Sequence, residues 1–307
     1  MGLPRGLCGF LSGGVLGALI TLSLVDFSRP PPAACGARPA PRTSAAAASR
    51  KDPASLGEDA HEMSGAAWPA EFRTWLVDTP ATLPEIFKDR AMILGTDKTT
   101  THRYHYMYAK YLLPVRHRDI KLLEIGLGCD TAWGAGHSVD LWHELLPRMT
   151  YYSIELHRSC AEQFIPRLGA RQFIGSQDDA HFLYNTVYNT TGPLDVIIDD
   201  GSHFTEHQRS TFLTMWQFLK PGGIYVIEDL QCTFLGGYHG EPSGLRKGTS
   251  ARMIVDFVLA LMGRAPAGDG DEQVYRKEIV EHIISVDCFR EACVFVKGPY
   301  AEGLKTT

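Results

Sequence analysis

Two pairs of adjacent carboxylates, Asp199-Asp200 and Glu228-Asp229, each close a short apolar run, Leu194–Ile198 and Ile224–Ile227. If those runs are neighbouring parallel strands, their ends lie about 4.8 Å apart, and three or four carboxylates converge. Like charges at that separation are costly unless a cation joins them. A set of oxygen ligands made of Asp200, Glu228 and Asp229 suits Mg2+, with Mn2+ as a substitute. Such an ion can bind two oxygens of a diol and lower the pKa of one hydroxyl. Capping of a following turn by Asp200 or Asp229 would explain one carboxylate at each end, but not two. Histidines gather in the same stretch: His203 and His207, with His239 further on. His203 lies three residues past Asp200, within reach of a proton transfer, although a single histidine is more often structural. Gly236-Gly-Tyr-His-Gly240 reads as a loop able to close over a substrate.

A second group of candidates follows other apolar runs. In Lys121-Leu-Leu-Glu-Ile-Gly-Leu-Gly128, Gly126 and Gly128 let the backbone approach a ligand closely. The third glycine of a dinucleotide fingerprint is missing, because position 131 is Thr, so no pyrophosphate cradle is specified. Glu124, just before the first glycine, suits a cationic ligand such as a sulfonium with its amino group. Glu155 ends the next run and can accept both hydroxyls of a ribose. Gln177 and Asp179, in Gly175-Ser-Gln-Asp-Asp179, can accept from an adenine amino group. Asp199 is counted on this cofactor side. Each of these alone is ordinarily a solvated loop group, but three at successive strand ends indicate one ligand site.

The elements that must position these residues alternate. Pro84–Leu94 and Tyr104–Leu113 read as helices that precede a sheet. Strands are expected at Lys121–Ile125, Thr150–Ile154, Arg171–Ile174, Leu194–Ile198, Ile224–Ile227, Ile283–Val286 and Ala292–Val296. Helices are expected at Ser138–Leu146, Ser159–Leu168, Asp179–Val187, Glu206–Leu219, Ser250–Met262 and Asp271–His282. Buried apolar strands alternating with helices specify an α/β, Rossmann-like, doubly wound and mostly parallel sheet. Such sheets bind ligands beyond the C-terminal ends of their strands, where the candidates fall.

The chain has 307 residues, 44% apolar and 21% charged, enough for one sizeable core. Its net charge of −5, without basic runs, sets nucleic acid aside as a partner. The seven cysteines show no CxxC spacing; most are expected to be buried thiols, with one or two bridges open. Gly6 to Val25 is a stretch of 20 residues without a charge. As a helix it would measure roughly 30 Å, a bilayer's thickness. Arg5 before it favours a signal-anchor with a cytosolic N-terminus, the alternative being a cleaved signal peptide. Arg29–Ala67 is rich in Pro, Ala, Ser and Gly and reads as a stalk. The expected organisation is an anchor over 1–28, a stalk over 29–67, a helical cap over 68–118 and the α/β domain over 119–300. A single-pass type II protein of the endoplasmic reticulum or Golgi membrane is therefore expected, or a secreted one. Asn189-Thr-Thr191 would then be a glycosylation acceptor.

The blocks Leu94-Gly-Thr-Asp-Lys98 with His102 and Tyr104, Leu-Leu-Glu-Ile-Gly-Leu-Gly128, Gly175-Ser-Gln-Asp-Asp179, Asp195-Val-Ile-Ile-Asp-Asp-Gly-Ser-His203 and Lys220-Pro-Gly-Gly-Ile-Tyr-Val-Ile-Glu-Asp-Leu-Gln231 resemble the macrolide-sugar O-methyltransferases of the macrocin and mycinamicin type. The resemblance covers about Leu94 to Gly298. It implies the class I methyltransferase fold with an N-terminal helical extension, S-adenosylmethionine as cofactor, Mg2+ (or Mn2+), and a small-molecule or glycan hydroxyl as acceptor. It places the metal on Asp200, Glu228 and Asp229, the 28-and-1 spacing that the catechol O-methyltransferases share. It folds the segment with Thr96 and Lys98 over the cofactor. Two departures stand out. Asp287, in Ser285-Val-Asp-Cys-Phe289, occupies the place where a base histidine is expected. Ser176 stands where an acid is frequent. The proton would go to Asp287 if the site raises its pKa, or otherwise to His203 or a metal-bound hydroxide. A binding protein that keeps the cofactor pocket, and a hydroxylase on the same fold, are the other readings.

Overall fold

The computed structural model describes residues 82–129, 131, 134–264 and 276–298. The anchor expected over Gly6–Val25, the stalk, Cys8 and Cys35 lie outside these residues. No described helix is long and apolar enough to cross a membrane.

Seven strands form one sheet: β1 (Lys121–Ile125), β2 (Thr150–Glu155), β3 (Gln172–Ile174), β4 (Leu194–Asp199), β5 (Leu219–Ile227), β6 (Ile283–Phe289) and β7 (Ala292–Lys297). Their order is β3-β2-β1-β4-β5-β7-β6. The first five are parallel, and β7 runs antiparallel between β5 and β6. This is the class I methyltransferase fold, as expected. Central parallel strands are covered on both faces, so they read as unbroken apolar runs. Their side chains still alternate. Leu122, Val196, Ile198, Ile224 and Val226 enter one core layer, while Leu123, Ile125, Ile197, Tyr225 and Ile227 enter the other.

The first layer is covered by helices Leu83–Leu94, His105–Tyr111 and His137–Leu145. Leu83–Leu94 starts with a proline in its first turn, buries Phe87 and Ala91 on one face, and stops at Gly95, whose φ of 74° caps it. Phe87, Tyr108 and Trp142 pack together there, with Phe87 stacked on Tyr108 at 5.6 Å. The opposite layer is covered by Thr205–Met215 and Ser250–Leu261, where Phe212 and Phe257 meet Phe295 of β7.

Several elements depart from expectation. Ser159–Leu168 is not one helix: it divides into Arg158–Ala161, a 3-10 turn at Glu162–Phe164 and Ile165–Leu168, with Pro166 opening the last piece. Asp179–Val187 contains a π-helical stretch at Leu183–Tyr188. The helix expected to run to Leu219 gives way to a 3-10 turn at Trp216–Phe218, and β5 starts at Leu219, with a register shift where Pro221-Gly-Gly223 passes β4. Of the helix expected over Asp271–His282, Lys277–Val280 is described. β6 extends to Phe289, which places Asp287 inside a strand opposite Val294.

The cysteines form two bridges, the upper end of the one or two left open, so most of the described ones are not free thiols. Cys129 bonds Cys160, and Cys288 bonds Cys293, while Cys232 is buried. The first bridge ties the loop after β1 to the helix after β2 across 31 residues, a loop closure that contributes about 3–4 kcal/mol in the chain-entropy account. The second staples the β6–β7 hairpin.

Lys297, the last residue of β7, is buried and donates to the carbonyls of Trp216 and Leu219 at 2.8 and 2.7 Å. Burial pushes its pKa down to about 8. Between that value and its ordinary value of 10.5 the unfolded chain keeps a proton that the folded chain has shed, so rising pH stabilises the fold across this window. The Tm difference between wild type and Lys297→Met should therefore move in favour of wild type as pH rises from 7.5 to 10, followed by circular dichroism. A difference that stays flat contradicts the assignment.

Candidate functional site

The strand register brings the candidates together. Ile125 of β1 lies beside Asp199 of β4, which lies beside Ile227 of β5. The backbone N–H groups of Asp200 and Glu228 still donate across the sheet, to Ile125 and Asp199, at 3.0 Å each. Gly126 must be glycine: its φ is 96°, and a Cβ would stand 2.0 Å from the Asp200 carbonyl oxygen. The ends of β1 and β4 thus touch where the glycine loop begins.

Alternation decides which way each acid points. Glu124 and Glu228 turn into the first core layer. Glu124 is buried and accepts from Ser138 Oγ, Trp142 Nε1 and Tyr151 Oη at 2.9, 3.0 and 2.6 Å. The Glu124 carboxylate, expected on the cofactor, is engaged by three side chains of the protein itself. Burial raises its pKa against the pull of Lys98. Asp199 turns into the other layer, where Gln177 Nε2 donates to it at 2.9 Å and Tyr225 at 3.3 Å. Gln177 also accepts from the Ser202 N–H at 2.7 Å, so it braces the loop after β4. Asp179 caps the helix that follows it by accepting from Phe182 N–H at 3.0 Å. Glu155 accepts from the N–H groups of Leu127 and His157 at 3.1 and 2.8 Å, which joins it to the glycine loop. Gly126, Gly128 and Glu155 therefore line one strand-end loop cluster, while Glu124, Gln177 and Asp199 stand behind it.

Lys98 departs most from expectation. Thr96 caps the turn Asp97–Thr100 by accepting from Lys98 N–H at 3.3 Å, which aims the lysine inward. Its side chain is 1% exposed. Nζ donates to both Glu228 oxygens at 2.7 Å and to Asp200 Oδ2 at 2.8 Å, with Glu124 at 3.9 Å. Where a cofactor contact was expected, the Lys98 ammonium pairs with these carboxylates. Burial alone would lower the Lys98 pKa, but Asp200, Glu228 and Glu124 outweigh it and hold the ammonium well above its ordinary value. Glu228 also accepts from Tyr108 Oη. Burial raises the Glu228 pKa, as does Asp200, against the ion pair.

The donors that converge among the described residues are Asp200, His203 and Asp229, one ligand atom of each lying within 4.8 Å of the others. Glu228, expected as a third carboxylate ligand, is not in this group because Lys98 and Tyr108 hold it. His203 and Asp229 adopt left-handed backbone, with φ of 57° and 54°. Non-glycine residues rarely sit there, and they cluster at sites that need a fixed side-chain direction. Asp229 is built carefully. Tyr104 Oη donates to its Oδ1 at 3.0 Å and accepts its N–H at 3.1 Å, and Gln231 donates to the same oxygen at 2.9 Å. His102 Nε2 lies 3.5 Å from Oδ1, its Nδ1 2.8 Å from Glu291, and its ring stacks on Tyr104. Oδ2 is turned to His203 Nε2 at 3.3 Å. Burial raises the Asp229 pKa, but His203, His102, Gln231 and Tyr104 together carry it below its ordinary value. His203 Nδ1 is buried with no protein partner. Oxygen donors with a nearby imidazole, already oriented, fit a hard divalent ion.

Asp287 is not brought to this group. It pairs with Lys110 and accepts from Tyr111 Oη at 2.9 Å, on the helix packed beside β6. In this structure Asp287 ties that helix to the hairpin and stands apart from the group expected to include the base. The residues that sequence reasoning left without a role are Tyr104, Tyr108 and His102. Tyr104 and Tyr108 are four apart on a helical face, a spacing that marked them as neighbours but not what they touch. On the loop Leu235–Gly240, Tyr238 stands 5.9 Å from Phe204 and 6.3 Å from His203, so this segment does lie beside the site.

No family model matches the chain. It is similar to mycinamicin VI 2''-O-methyltransferase of Micromonospora griseorubida, 27% identical over 205 residues, covering 66% of this chain and 50% of that protein. It is 37% identical over 163 residues to L-olivosyl-oleandolide 3-O-methyltransferase of Streptomyces antibioticus, covering 52% and 40%. Among solved structures, the MycE methyltransferase from the mycinamycin biosynthetic pathway, in complex with Mg, SAH and mycinamycin VI, aligns with a TM-score of 0.58 at 24% identity, over 72% of this chain and 57% of that one. A second crystal form of MycE with Mg and SAH gives 0.60 at 25%, over 71% and 54%. The chain spans about half the length of the relatives it matches. The relatives are thus macrolide-sugar O-methyltransferases, as the motifs implied. They also correct the expected location. They come from Micromonospora and Streptomyces, and no described helix is long and apolar enough to cross a membrane, so the expected endoplasmic-reticulum or Golgi membrane placement finds no support.

Tyr104→Phe removes both bonds from the phenol to Asp229. Mn2+ affinity should fall roughly tenfold, as for other residues that orient a metal ligand, in a titration read by electron paramagnetic resonance. An unchanged affinity contradicts the orienting role of Tyr104.

Proposed function

We propose that this chain is an S-adenosylmethionine-dependent, divalent-metal-assisted O-methyltransferase acting on a hydroxyl of a sugar, polyol or related small molecule. The observation that carries this reading is the convergence of Asp200, His203 and Asp229 at the ends of β4 and β5, beside the glycine loop at the end of β1. The activities named for the relatives, and the Mg and SAH bound to MycE, support it.

When bound, the cofactor supplies the methyl group and Mg2+ (or Mn2+) supplies a Lewis acid for the acceptor hydroxyl. Gly126 and Gly128 give backbone access at the cofactor end, and Glu155 offers its remaining lone pairs to a ribose. Asp200 and Asp229 would hold the ion. His203 takes the acceptor's proton at Nε2, and the Asp229 carboxylate at 3.3 Å favours the imidazolium that forms. The left-handed backbone at 203 and 229 keeps these two side chains face to face. Asp287 serves the fold and not the chemistry. A second reading has support in the same geometry: with all three donors inside 4.8 Å, His203 is itself a ligand.

Calorimetry with S-adenosylmethionine and transfer of labelled methyl to sugar acceptors test this reading. Asp200→Ala should keep cofactor binding and lose at least about 100-fold in transfer, while Asp287→Asn should stay within about threefold. Absence of cofactor binding in wild type refutes the function. His203→Asn separates the two roles: as base it lowers kcat and leaves Mn2+ affinity within about threefold, whereas as ligand it costs tenfold or more in Mn2+ affinity.

A further inference from the structure

We propose that Lys98 is a positioning residue that competes with the divalent ion, a built-in cation that shapes the carboxylate site before metal arrives and weakens the ion's hold. This rests on the divalent-metal reading above.

Three acids reach Lys98 from three adjacent strands: Glu124 in β1, Asp200 after β4 and Glu228 after β5. All lie on one side of the sheet because side chains alternate and the register is fixed. Burying these carboxylates together needs positive charge, and the ammonium is the cation that the chain itself provides. Its three protons are spent on Glu228 and Asp200, and its far side faces the Tyr108 ring at 6.0 Å. Lys98 comes from the turn Asp97–Thr100, so it also pins the helical segment over the strand ends.

Asp200 is the shared residue. Its Oδ2 meets Lys98, and the same carboxylate belongs to the group with His203 and Asp229. A divalent ion on Asp200 would stand within a few ångströms of the ammonium, in a poorly solvated site where repulsion is weakly screened. The protein thus trades affinity for a preformed site. Tyr108 completes the arrangement by holding Glu228 on the Lys98 side.

The test uses the full chain with Mn2+ as probe. Lys98→Met should lower the Tm without metal, bind Mn2+ at least tenfold tighter than wild type by electron paramagnetic resonance, and show a larger Tm gain on adding Mn2+. Lys98→Arg keeps the charge and should keep wild-type affinity. If Lys98→Met does not fold without metal, millimolar Mn2+ during refolding should restore it, because the ion replaces the ammonium. Mn2+ affinity in Lys98→Met equal to or weaker than wild type overturns the proposal, as does a variant that stays unfolded with Mn2+ while Lys98→Arg folds. Absence of Mn2+ binding by wild type refutes the metal reading together with this one. Binding by wild type with no gain in Lys98→Met refutes only the competition.

Discussion

The burial of like charge governs this structure. Glu124, Asp200, Glu228 and Asp229 stand at or just beyond the ends of three neighbouring parallel strands. The sheet fixes their spacing, and most of their surface is removed from water. Hydrophobic packing alone does not hold such a group, because each added carboxylate raises the cost of the others. The elements that cover this end of the sheet answer that cost. Lys98 provides a full charge, Tyr104, Tyr108, Tyr151, Trp142 and Ser138 provide hydrogen-bond donors, and His102 bridges Asp229 to Glu291.

The helical segment before β1 therefore does more than cap the core. Phe87 and Tyr108 pack against Trp142, and the same helices send Lys98, Tyr104 and Tyr108 into the strand ends. Packing and chemistry are coupled: a change that shifts His105–Tyr111 moves Tyr108 away from Glu228 and alters the Lys98 site. The two disulfides tie down the flanks. One joins the glycine loop to the helix after Glu155, and the other closes the hairpin next to Asp287. Between these fixed flanks Tyr238 and His239 of the loop Leu235–Gly240 pack on Phe204, beside His203, on the side where an acceptor would enter.

Much of this was legible in the sequence, for physical reasons. Apolar runs of the right length specify strands, and all seven expected strands appear, the first five of them parallel. Paired acids after two of those runs specify a charged strand-end site, and the glycine loop after β1 marks the ligand end. The direction of each side chain was not legible. Glu124 looks like a ligand group by position, yet alternation turns it toward Trp142 and Tyr151. Lys98 looks like part of a flap, yet the cap at Thr96 aims it inward. Asp287 fills a slot expected to hold a base, but β6 runs three residues further than its apolar pattern suggests. Lys110 and Tyr111, distant in sequence, then take its charge. Each of these outcomes depends on contacts between residues far apart in the chain, which local pattern does not encode.

The chemistry of this site depends on where a divalent ion settles. Anomalous scattering from crystals of the full chain grown with Mn2+ and S-adenosylhomocysteine locates it directly. A single strong peak is expected in contact with Asp200 and Asp229, beside His203, with the cofactor product next to the Gly126–Gly128 loop. A cofactor product bound there with no Mn2+ peak between β4 and β5, or a peak elsewhere in the molecule, would contradict it.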